Sequence, residues 1–341
     1  MTPEEVIAGV ESGDRRAIGR AISLVERLGP EGRTLAAALH PRTGAAWRVG
    51  VTGAPGVGKS TMISALIRHL RAAGRRVAVV SVDPTSPFTR GAVLGDRIRL
   101  VDHFLDPGVF IRSMASRGHQ GGLAEATADA VLVLDAAGYD VILVETVGSG
   151  QNEVEVQTLT ETVVLALMPG SGDGVQAIKA GLMEIPDVIA VTKSDRPGAD
   201  LLVSELANAL SLVPGGAWEP PIVRVRALEE GGVEDLWAEV ERHRTFLESE
   251  GRLEARQRDG LARQLKALAA DRLSRRVDAA TDAGFVDGLI DRILDRSLDP
   301  SGAVDEVLER AGLDESAIAR ESTEGAAQIQ RGDGRNPTGR P

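Results

Sequence analysis

Closely spaced glycines, a lysine and a serine stand near the start of this chain in an order that suits phosphate chemistry. Residues 53–60 read GAPGVGKS, which fits the spacing Gly-x-x-x-x-Gly-Lys-Ser/Thr. Glycines let successive backbone N–H groups turn around a phosphate, and a helix N-terminus adds its partial positive charge. The lysine would reach the β- and γ-phosphates of a nucleotide, and the serine hydroxyl would hold Mg²⁺. The residues of this predicted phosphate loop are Gly53, Ala54, Pro55, Gly56, Val57, Gly58, Lys59, Ser60 and Thr61.

The alternative is a glycine-rich turn without a ligand, in a chain that contains 39 glycines. Two observations favour the phosphate loop. A short apolar run precedes it and an apolar-periodic segment, residues 62–70, follows it, so the loop lies between a predicted strand and a predicted helix. Lysine is also rare, with four lysines against 35 arginines, and Lys59 occupies the position that the pattern requires.

Short apolar runs alternate with helical patterns from residue 47 onward, which is typical of an α/β protein. The predicted strands are residues 48–52, 77–82, 109–113, 140–145, 163–168, 188–192 and 222–226. The predicted helices between them are residues 59–73, 120–137, 152–160, 174–183, 200–212 and 233–248. Near-continuous valine, isoleucine and leucine runs suit strands buried on both faces. The fold class is therefore α/β: a P-loop NTPase with a mainly parallel, doubly wound sheet.

Helical extensions are expected at both ends of this sheet. The predicted organisation is an N-terminal helical extension over residues 1–44, a nucleotide-binding domain over 45–250, a C-terminal helical arm over 251–321 and a disordered tail over 322–341. Asp14 is expected to cap a helix of the first extension. In the arm, apolar residues from Phe285 to Leu298 predict an amphipathic helix. This arm either covers the sheet or forms a surface for a dimer or a partner.

Ligands of such sheets bind beyond the carboxyl ends of the strands, where several acidic residues of this chain fall. Asp83 ends the second predicted strand and would face Mg²⁺ directly or through water, or would belong to a structural Asp-Pro turn. Asp96 lies in a glycine-broken segment that either senses the γ-phosphate or is solvated at the start of a helix.

The buried strand DVILVE ends in Glu145 and is followed three residues later by Gly148. This resembles the Asp-x-x-Gly pattern of nucleotide switches, with glutamate replacing aspartate. The carboxylate would orient the Mg²⁺ shell, and the Gly148 N–H would bond the γ-phosphate and lose that bond after hydrolysis. Either Gln151 or Glu153 would position the attacking water.

A base-reading motif is predicted at residues 192–195, which read TKSD after another apolar strand. In the pattern Asn/Thr-Lys-x-Asp, the aspartate accepts hydrogen bonds from guanine and the lysine packs across the base. A second rare lysine in this position favours guanine over a plain surface turn. The predicted base-contacting residues are Thr192, Lys193 and Asp195, with backbone contacts from Arg226, Ala227 and Leu228.

Composition restricts the kinds of partner and metal site that are expected. A net charge of −11 argues against broad binding of nucleic acids or anionic membranes. The chain has no cysteine and five scattered histidines, which disfavours a transition-metal site. No apolar run reaches the length of a membrane span and the N-terminus is unlike a signal peptide, so a cytoplasmic location is expected.

Taken together, five segments resemble the MeaB/ArgK family of P-loop GTPases, which act on methylmalonyl-CoA mutase and related adenosylcobalamin-dependent acyl-CoA mutases. The segments are GAPGVGKST, VDPTSPFTRGAVLGDRIRL, VETVGSGQNEVEV, MPGSGDGVQAIKAG and VTKSD. The resemblance implies a GTP-hydrolysing chaperone that controls cofactor loading and protects or reactivates the mutase. It also implies a homodimer joined through C-terminal helical arms.

The predicted catalytic residues are Lys59, Glu145 and Gly148. By position, the resemblance places Lys59, Ser60 and Thr61 in the phosphate loop and the magnesium-associated residues at Ser60, Asp83, Asp96 and Glu145. It implies a third switch over residues 168–181, including Asp173 and Lys179, beside the switch residues Asp96 and Gln151.

The chain departs from this family at Thr192, where asparagine is usual, although signal recognition particle GTPases also carry threonine there. The C-terminal third diverges too, so a mutase for isobutyryl-, 2-hydroxyisobutyryl- or ethylmalonyl-CoA is an alternative partner. Two other classes remain as alternatives. One is a metallochaperone GTPase, which would need Cys or His ligands. The other is a kinase, which would need an acceptor-binding base near the γ-phosphate.

Overall fold

A seven-stranded parallel sheet forms the centre of the computed structural model, which describes residues 1–84, 100–116, 122–146, 152–170, 186–212, 216–229 and 231–313. Within these residues the strands are β1 Trp47–Thr52, β2 Val77–Pro84, β3 Val109–Ser116, β4 Val141–Thr146, β5 Thr162–Leu167, β6 Val188–Thr192 and β7 Ile222–Val225. Their order is β3-β2-β4-β1-β5-β6-β7, and all neighbouring pairs are parallel. Strand β1, which precedes the predicted phosphate loop, and strand β4, which contains Glu145, are therefore neighbours.

Helices cover both faces of the sheet. Counted in the order in which the described residues present them, they are α1 Pro3–Glu11, α2 Arg15–Val25, α3 Pro30–Leu39, α4 Lys59–Ala72, α5 Gly122–Ala136, α6 Asn152–Leu159, α7 Ala199–Leu212 and α8 Val233–Glu248. Helices α4 and α8 pack on one face, and α1–α3 and α5 pack on the other, each against a continuous core of buried apolar residues. The predicted doubly wound α/β fold is confirmed.

The N-terminal extension consists of the three helices α1, α2 and α3. A residue with positive φ follows each of the first two helices, Gly13 at 76° and Leu28 at 53°. The carboxylate of Asp14 accepts a hydrogen bond from the Ala17 N–H at 2.8 Å, which confirms the predicted cap. Buried residues of all three helices join the core formed by α5 and the sheet, so the extension packs on the nucleotide domain.

The chain divides into two compact units, Met1–Leu268 and Ala269–Pro341. Helix α9, Arg252–Ala280, begins in the first unit, and α10 Ala283–Leu294 and α11 Pro300–Arg310 lie in the second. The predicted amphipathic helix to Leu298 is wrong in its end point, because α10 stops at Leu294 and Arg296 takes a φ of 66°. Asp299 then caps α11, which the sequence reasoning missed.

In the second unit, ion pairs join α10 to α11. Arg292 pairs with Glu306 at 2.8 Å, and Arg310 pairs with Asp282 at 2.9 Å. Several large apolar side chains of this unit are exposed instead of packed, namely Leu273, Val286, Ile290, Leu294 and Val304. No helix within the described ranges has a stretch long and apolar enough to span a lipid bilayer.

A buried polar network lies at the amino ends of the strands. Nδ1 of His243 on α8 is 2.9 Å from the Thr162 hydroxyl, and its Nε2 is 3.3 Å from the Asp187 carboxylate. Arg256 of α9 donates two hydrogen bonds to the same carboxylate, at 3.0 and 2.6 Å. Burial, together with the positive charge of Arg256, lowers the pKa of His243 to about 3, so this imidazole is neutral at physiological pH.

Candidate nucleotide-binding site

The predicted phosphate loop joins β1 to the start of α4. Its first glycine, Gly53, has a φ of 138°, and a Cβ there would lie 2.2 Å from the Ala166 carbonyl oxygen. Its last glycine, Gly58, has a φ of 106° and is the N-cap residue of α4. Only glycine suits both conformations. The first N–H groups of α4 lack acceptors within the helix and lie at the carboxyl edge of the sheet, which is the arrangement that binds phosphate.

Lys59 places its ammonium group inside the loop. The side chain is 6% exposed, and Nζ donates hydrogen bonds to the carbonyl oxygens of Gly53 at 2.6 Å and of Ala54 at 3.1 Å. A buried ammonium group needs such acceptors. Its charge lies at the same end of the sheet as the N-terminus of α4, so both attract the anionic end of a nucleotide.

The hydroxyl of Ser60 and the carboxylate of Glu145 are brought together as the sequence led us to expect. Ser60 Oγ donates to Glu145 Oε1 at 2.9 Å, and Ser81 Oγ donates to Glu145 Oε2 at 3.2 Å. Glu145 is 6% exposed at the end of a fully buried strand, and these hydroxyls offset the cost of burying its charge.

Ser81 was missed by the sequence reasoning. It lies on β2 directly opposite Glu145 in the register of the two strands. The available signal was that Ser81 is the single polar residue in the run VAVVSV, residues 77–82. The same strand ends in Asp83–Pro84, which places the Asp83 backbone at the carboxyl edge of the sheet.

These oxygen atoms fit Mg²⁺. The ion prefers hard oxygen ligands and commonly keeps several of its waters. The Ser60 hydroxyl can be a ligand of the ion. The Glu145 carboxylate, 2.9 Å from that hydroxyl, can accept a hydrogen bond from a metal-bound water. No group of three or more His, Asp or Glu side chains with metal-binding spacing occurs among the residues whose placement is described.

Thr192 attaches the predicted base-reading motif to the phosphate loop. Its hydroxyl lies 2.6 Å from the Val57 carbonyl oxygen and 2.9 Å from the Leu167 carbonyl oxygen at the end of β5. The next residue, Lys193, takes a φ of 49° and donates from Nζ to the Gly56 carbonyl oxygen at 2.7 Å. Two consecutive residues therefore hold the glycine-rich turn from the side of β6.

A cleft of about 170 Å³ opens between this motif and the turn after β7. Its lining residues are Gly58, Thr61, Thr192, Lys193, Asp195, Arg196, Arg226, Ala227, Leu228 and Glu229. The turn is closed by a backbone hydrogen bond from Arg226 to Gly231 at 2.8 Å. All six residues predicted to contact a base thus line one cleft, directly beside the phosphate loop, and the Asp195 carboxylate is exposed to solvent there.

Residues 18–282 match a family profile described as "Methylmalonyl Co-A mutase-associated GTPase MeaB". The chain belongs to the MeaB family. A protein of Pyrococcus abyssi described as a candidate GTPase is 46% identical to it over 310 residues, which are 90% of this chain and 96% of that protein. The GTPase ArgK of Escherichia coli is 37% identical over 262 residues, or 74% of this chain and 79% of that protein.

A solved structure supports the same assignment for this MeaB-family chain. The crystal structure of an LAO/AO transport system kinase matches it with a TM-score of 0.68 and 28% identity, over 90% of this chain and 97% of that chain. The predicted MeaB/ArgK resemblance is therefore confirmed, and the protein is a P-loop GTPase. Several predicted site residues of this GTPase lie outside the described residues: Asp96, Gly148, Gln151, Asp173 and Lys179.

Proposed function

We propose that this MeaB-family protein binds GTP with Mg²⁺, hydrolyses it to GDP and phosphate, and acts as a chaperone of an adenosylcobalamin-dependent acyl-CoA mutase. The observation that carries the nucleotide part is the Ser60–Glu145 hydrogen bond of 2.9 Å beside the buried Lys59. A phosphate-loop hydroxyl, a carboxylate and an ammonium group therefore lie together at the carboxyl ends of β1 and β4. The family description supports the mutase part.

In this proposal, the backbone N–H groups of residues 53–61 and the Lys59 ammonium bind the phosphates. Mg²⁺, when bound, supplies positive charge that stabilises the negative charge developing on the phosphate oxygens. Ser60 would be a ligand of the ion, and the Glu145 and Asp83 carboxylates would orient its shell with Asp96. The Gly148 N–H would bond the γ-phosphate, and Gln151 or Glu153 would position the attacking water.

Guanine selectivity is assigned to the cleft beside the loop. Asp195 lines this cleft, is exposed to solvent and accepts hydrogen bonds from guanine N1 and N2. Lys193 covers the base, and backbone N–H groups of residues 226–228 face guanine O6. Thr192 acts indirectly, because its hydroxyl holds the phosphate loop through the Val57 carbonyl.

The partner surface is proposed to lie on the C-terminal helices. Exposed apolar side chains on α10, including Ile290 and Leu294, support a homodimer joined through this unit. The segment at residues 168–181, with Asp173 and Lys179, is proposed to relay the nucleotide state to the mutase. The cytoplasmic location stays a prediction from the sequence.

The test is GTP turnover by the purified protein, alone and with each acyl-CoA mutase of the same cell. We expect slow hydrolysis that one mutase accelerates, because switch segments without a partner are poorly preorganised. Replacing Glu145 by glutamine should lower this turnover at limiting Mg²⁺ concentrations. Turnover that no mutase changes would contradict the chaperone function and leave only the GTPase.

A second candidate function is phosphoryl transfer to an acceptor molecule. The description of the similar crystal structure as an LAO/AO transport system kinase favours it. GTP labelled in the γ-phosphate distinguishes the two: hydrolysis releases all the label as inorganic phosphate, whereas a kinase leaves part of it on protein or on a small molecule.

A further inference from the structure

Two threonines at the carboxyl edge of the sheet are buried without a hydrogen-bond partner. Thr52 ends β1 and is 1% exposed, and Thr146 ends β4 and is 4% exposed. Neither hydroxyl has a partner among the residues that the structure describes. A buried hydroxyl without a partner destabilises a folded protein, so each needs an explanation.

The two hydroxyls belong to neighbouring positions. Val51 of β1 pairs with Glu145 of β4, and Thr52 and Thr146 are the next residue of each strand. Adjacent strands lie about 4.8 Å apart, so the two side chains are neighbours on one sheet face. Because successive residues alternate between faces, this is the face opposite the Ser60–Glu145 pair.

The residues beside them on this face are apolar. Leu165 of β5 pairs with Thr52, and Val82 of β2 pairs with Thr146. Valine has the shape of threonine without the hydroxyl, and it is the commonest residue elsewhere in these strands. The hydroxyls are therefore not needed for packing, and in this arrangement they only reduce stability.

Other buried hydroxyls of these strands behave differently. Ser81 bonds Glu145, Thr162 bonds His243, and Thr192 bonds two carbonyl oxygens. Unpaired hydroxyls are thus not a general property of this sheet. The two threonines without partners also adjoin proposed site residues in the sequence. Thr52 directly precedes Gly53 of the phosphate loop, and Thr146 directly follows Glu145.

We propose that Thr52 and Thr146 are positioning residues for nucleotide binding, whose hydroxyls gain hydrogen bonds when GTP and Mg²⁺ bind. This inference rests on the proposed function. Thr52 directly precedes the phosphate loop, and Thr146 directly follows Glu145, which is proposed to orient the metal shell. Hydrogen bonds formed there would hold the start of the phosphate loop and the end of β4 in the ligand-bound arrangement, without contacting the nucleotide.

The test uses Thr52→Val and Thr146→Val, which remove the hydroxyl and keep the volume. We expect both variants to melt at a higher temperature than the wild type when nucleotide is absent, because an unpaired hydroxyl is gone. We expect each to bind a slowly hydrolysed GTP analogue with Mg²⁺ about 2- to 10-fold more weakly, which corresponds to the loss of one hydrogen bond. Thr52→Ser and Thr146→Ser, which keep the hydroxyl, should retain wild-type affinity.

Thr127 on α5 supplies the matched control. Its hydroxyl is also buried without a partner among the described residues, but it lies within helix α5, distant in sequence from both the phosphate loop and Glu145. Thr127→Val should raise the melting temperature with and without nucleotide and leave the affinity unchanged.

Wild-type affinity in both Thr52→Val and Thr146→Val would overturn the proposal, as would an equal loss in Thr127→Val. If the wild type itself failed to bind GTP, the proposed function would fall as well. Binding by the wild type with unchanged affinity in the variants would overturn this inference alone.

Discussion

Replacing Thr192 by valine removes one hydroxyl from the junction between the phosphate loop and the predicted base-reading motif. Thr192 is 3% exposed, and its hydroxyl lies 2.6 Å from the Val57 carbonyl oxygen and 2.9 Å from the Leu167 carbonyl oxygen. A hydroxyl carries a single hydrogen, so one donor serves two acceptors. Valine keeps the shape of the side chain and leaves both carbonyl oxygens without that donor.

Loss of a donor to a buried acceptor costs about 1–3 kcal/mol. If that cost falls on the phosphate loop, GDP and GTP should bind about 5- to 150-fold more weakly to Thr192→Val. Thr192→Asn should have the opposite effect, because a carboxamide has two N–H donors and can serve both carbonyl oxygens. One additional hydrogen bond of about 0.5–1.5 kcal/mol predicts about 2- to 13-fold tighter binding.

Calorimetric titration with GDP and with a slowly hydrolysed GTP analogue measures the nucleotide affinities of these variants directly. Thr245→Val is the matched control, since the exposed Thr245 hydroxyl bonds the Glu241 carbonyl oxygen of its own helix, far in sequence from the phosphate loop. We expect the affinities to rank asparagine above threonine above valine at position 192, with the control equal to the wild type. Equal affinity of the wild type and Thr192→Val would refute the assigned role of this hydroxyl.

Three further predictions follow from the same structure. Gly53→Ala should abolish nucleotide binding in a titration, because its Cβ would lie 2.2 Å from the Ala166 carbonyl oxygen; Gly19→Ala, on open helix surface, should bind normally. Glu145→Gln should raise the Mg²⁺ concentration needed for half-maximal GTP turnover by about 10- to 100-fold, since the Glu145 carboxylate is proposed to orient the metal shell; an unchanged requirement would contradict that role. The free energy of unfolding, from urea titrations, should fall by about 2 kcal/mol between pH 7 and pH 5 through His243 alone. The folded state keeps this imidazole neutral down to about pH 3, whereas the unfolded chain takes up the proton below pH 6.5. In His243→Gln, the free energy of unfolding should change less between pH 7 and pH 5. An unaltered slope in this range would contradict the role of the neutral His243 imidazole.

Most of the fold was predictable because its signals are local. The buried strands are runs of valine, isoleucine and leucine, and their positions agree with the structure to within a few residues, as in β6 at Val188–Thr192. Once the sheet was predicted, the rule that ligands lie at strand ends brought Ser60, Glu145 and Thr192 to one edge. The structure places the three residues at this edge, and their roles in binding and hydrolysis are proposals.

The features that escaped prediction depend on pairs distant in sequence or on backbone conformation. Ser81 mattered only once β2 was known to lie beside β4. The pairing of Asp187 with Arg256 joins residues 69 positions apart, and no local pattern indicates it. The break after Leu294 depends on a left-handed residue, Arg296, that is not a glycine, so the apolar periodicity continued past the true end of the helix.

The most direct test of the central claim is a calorimetric titration of the wild-type protein with slowly hydrolysed analogues of GTP and ATP, each with and without Mg²⁺. A phosphate loop with Lys59 and the Ser60–Glu145 pair, beside the cleft that is proposed to read guanine, predicts tight binding of the GTP analogue that weakens when Mg²⁺ is removed. It predicts much weaker binding of the ATP analogue. Binding of neither analogue, or equal binding of both regardless of Mg²⁺, would contradict the account.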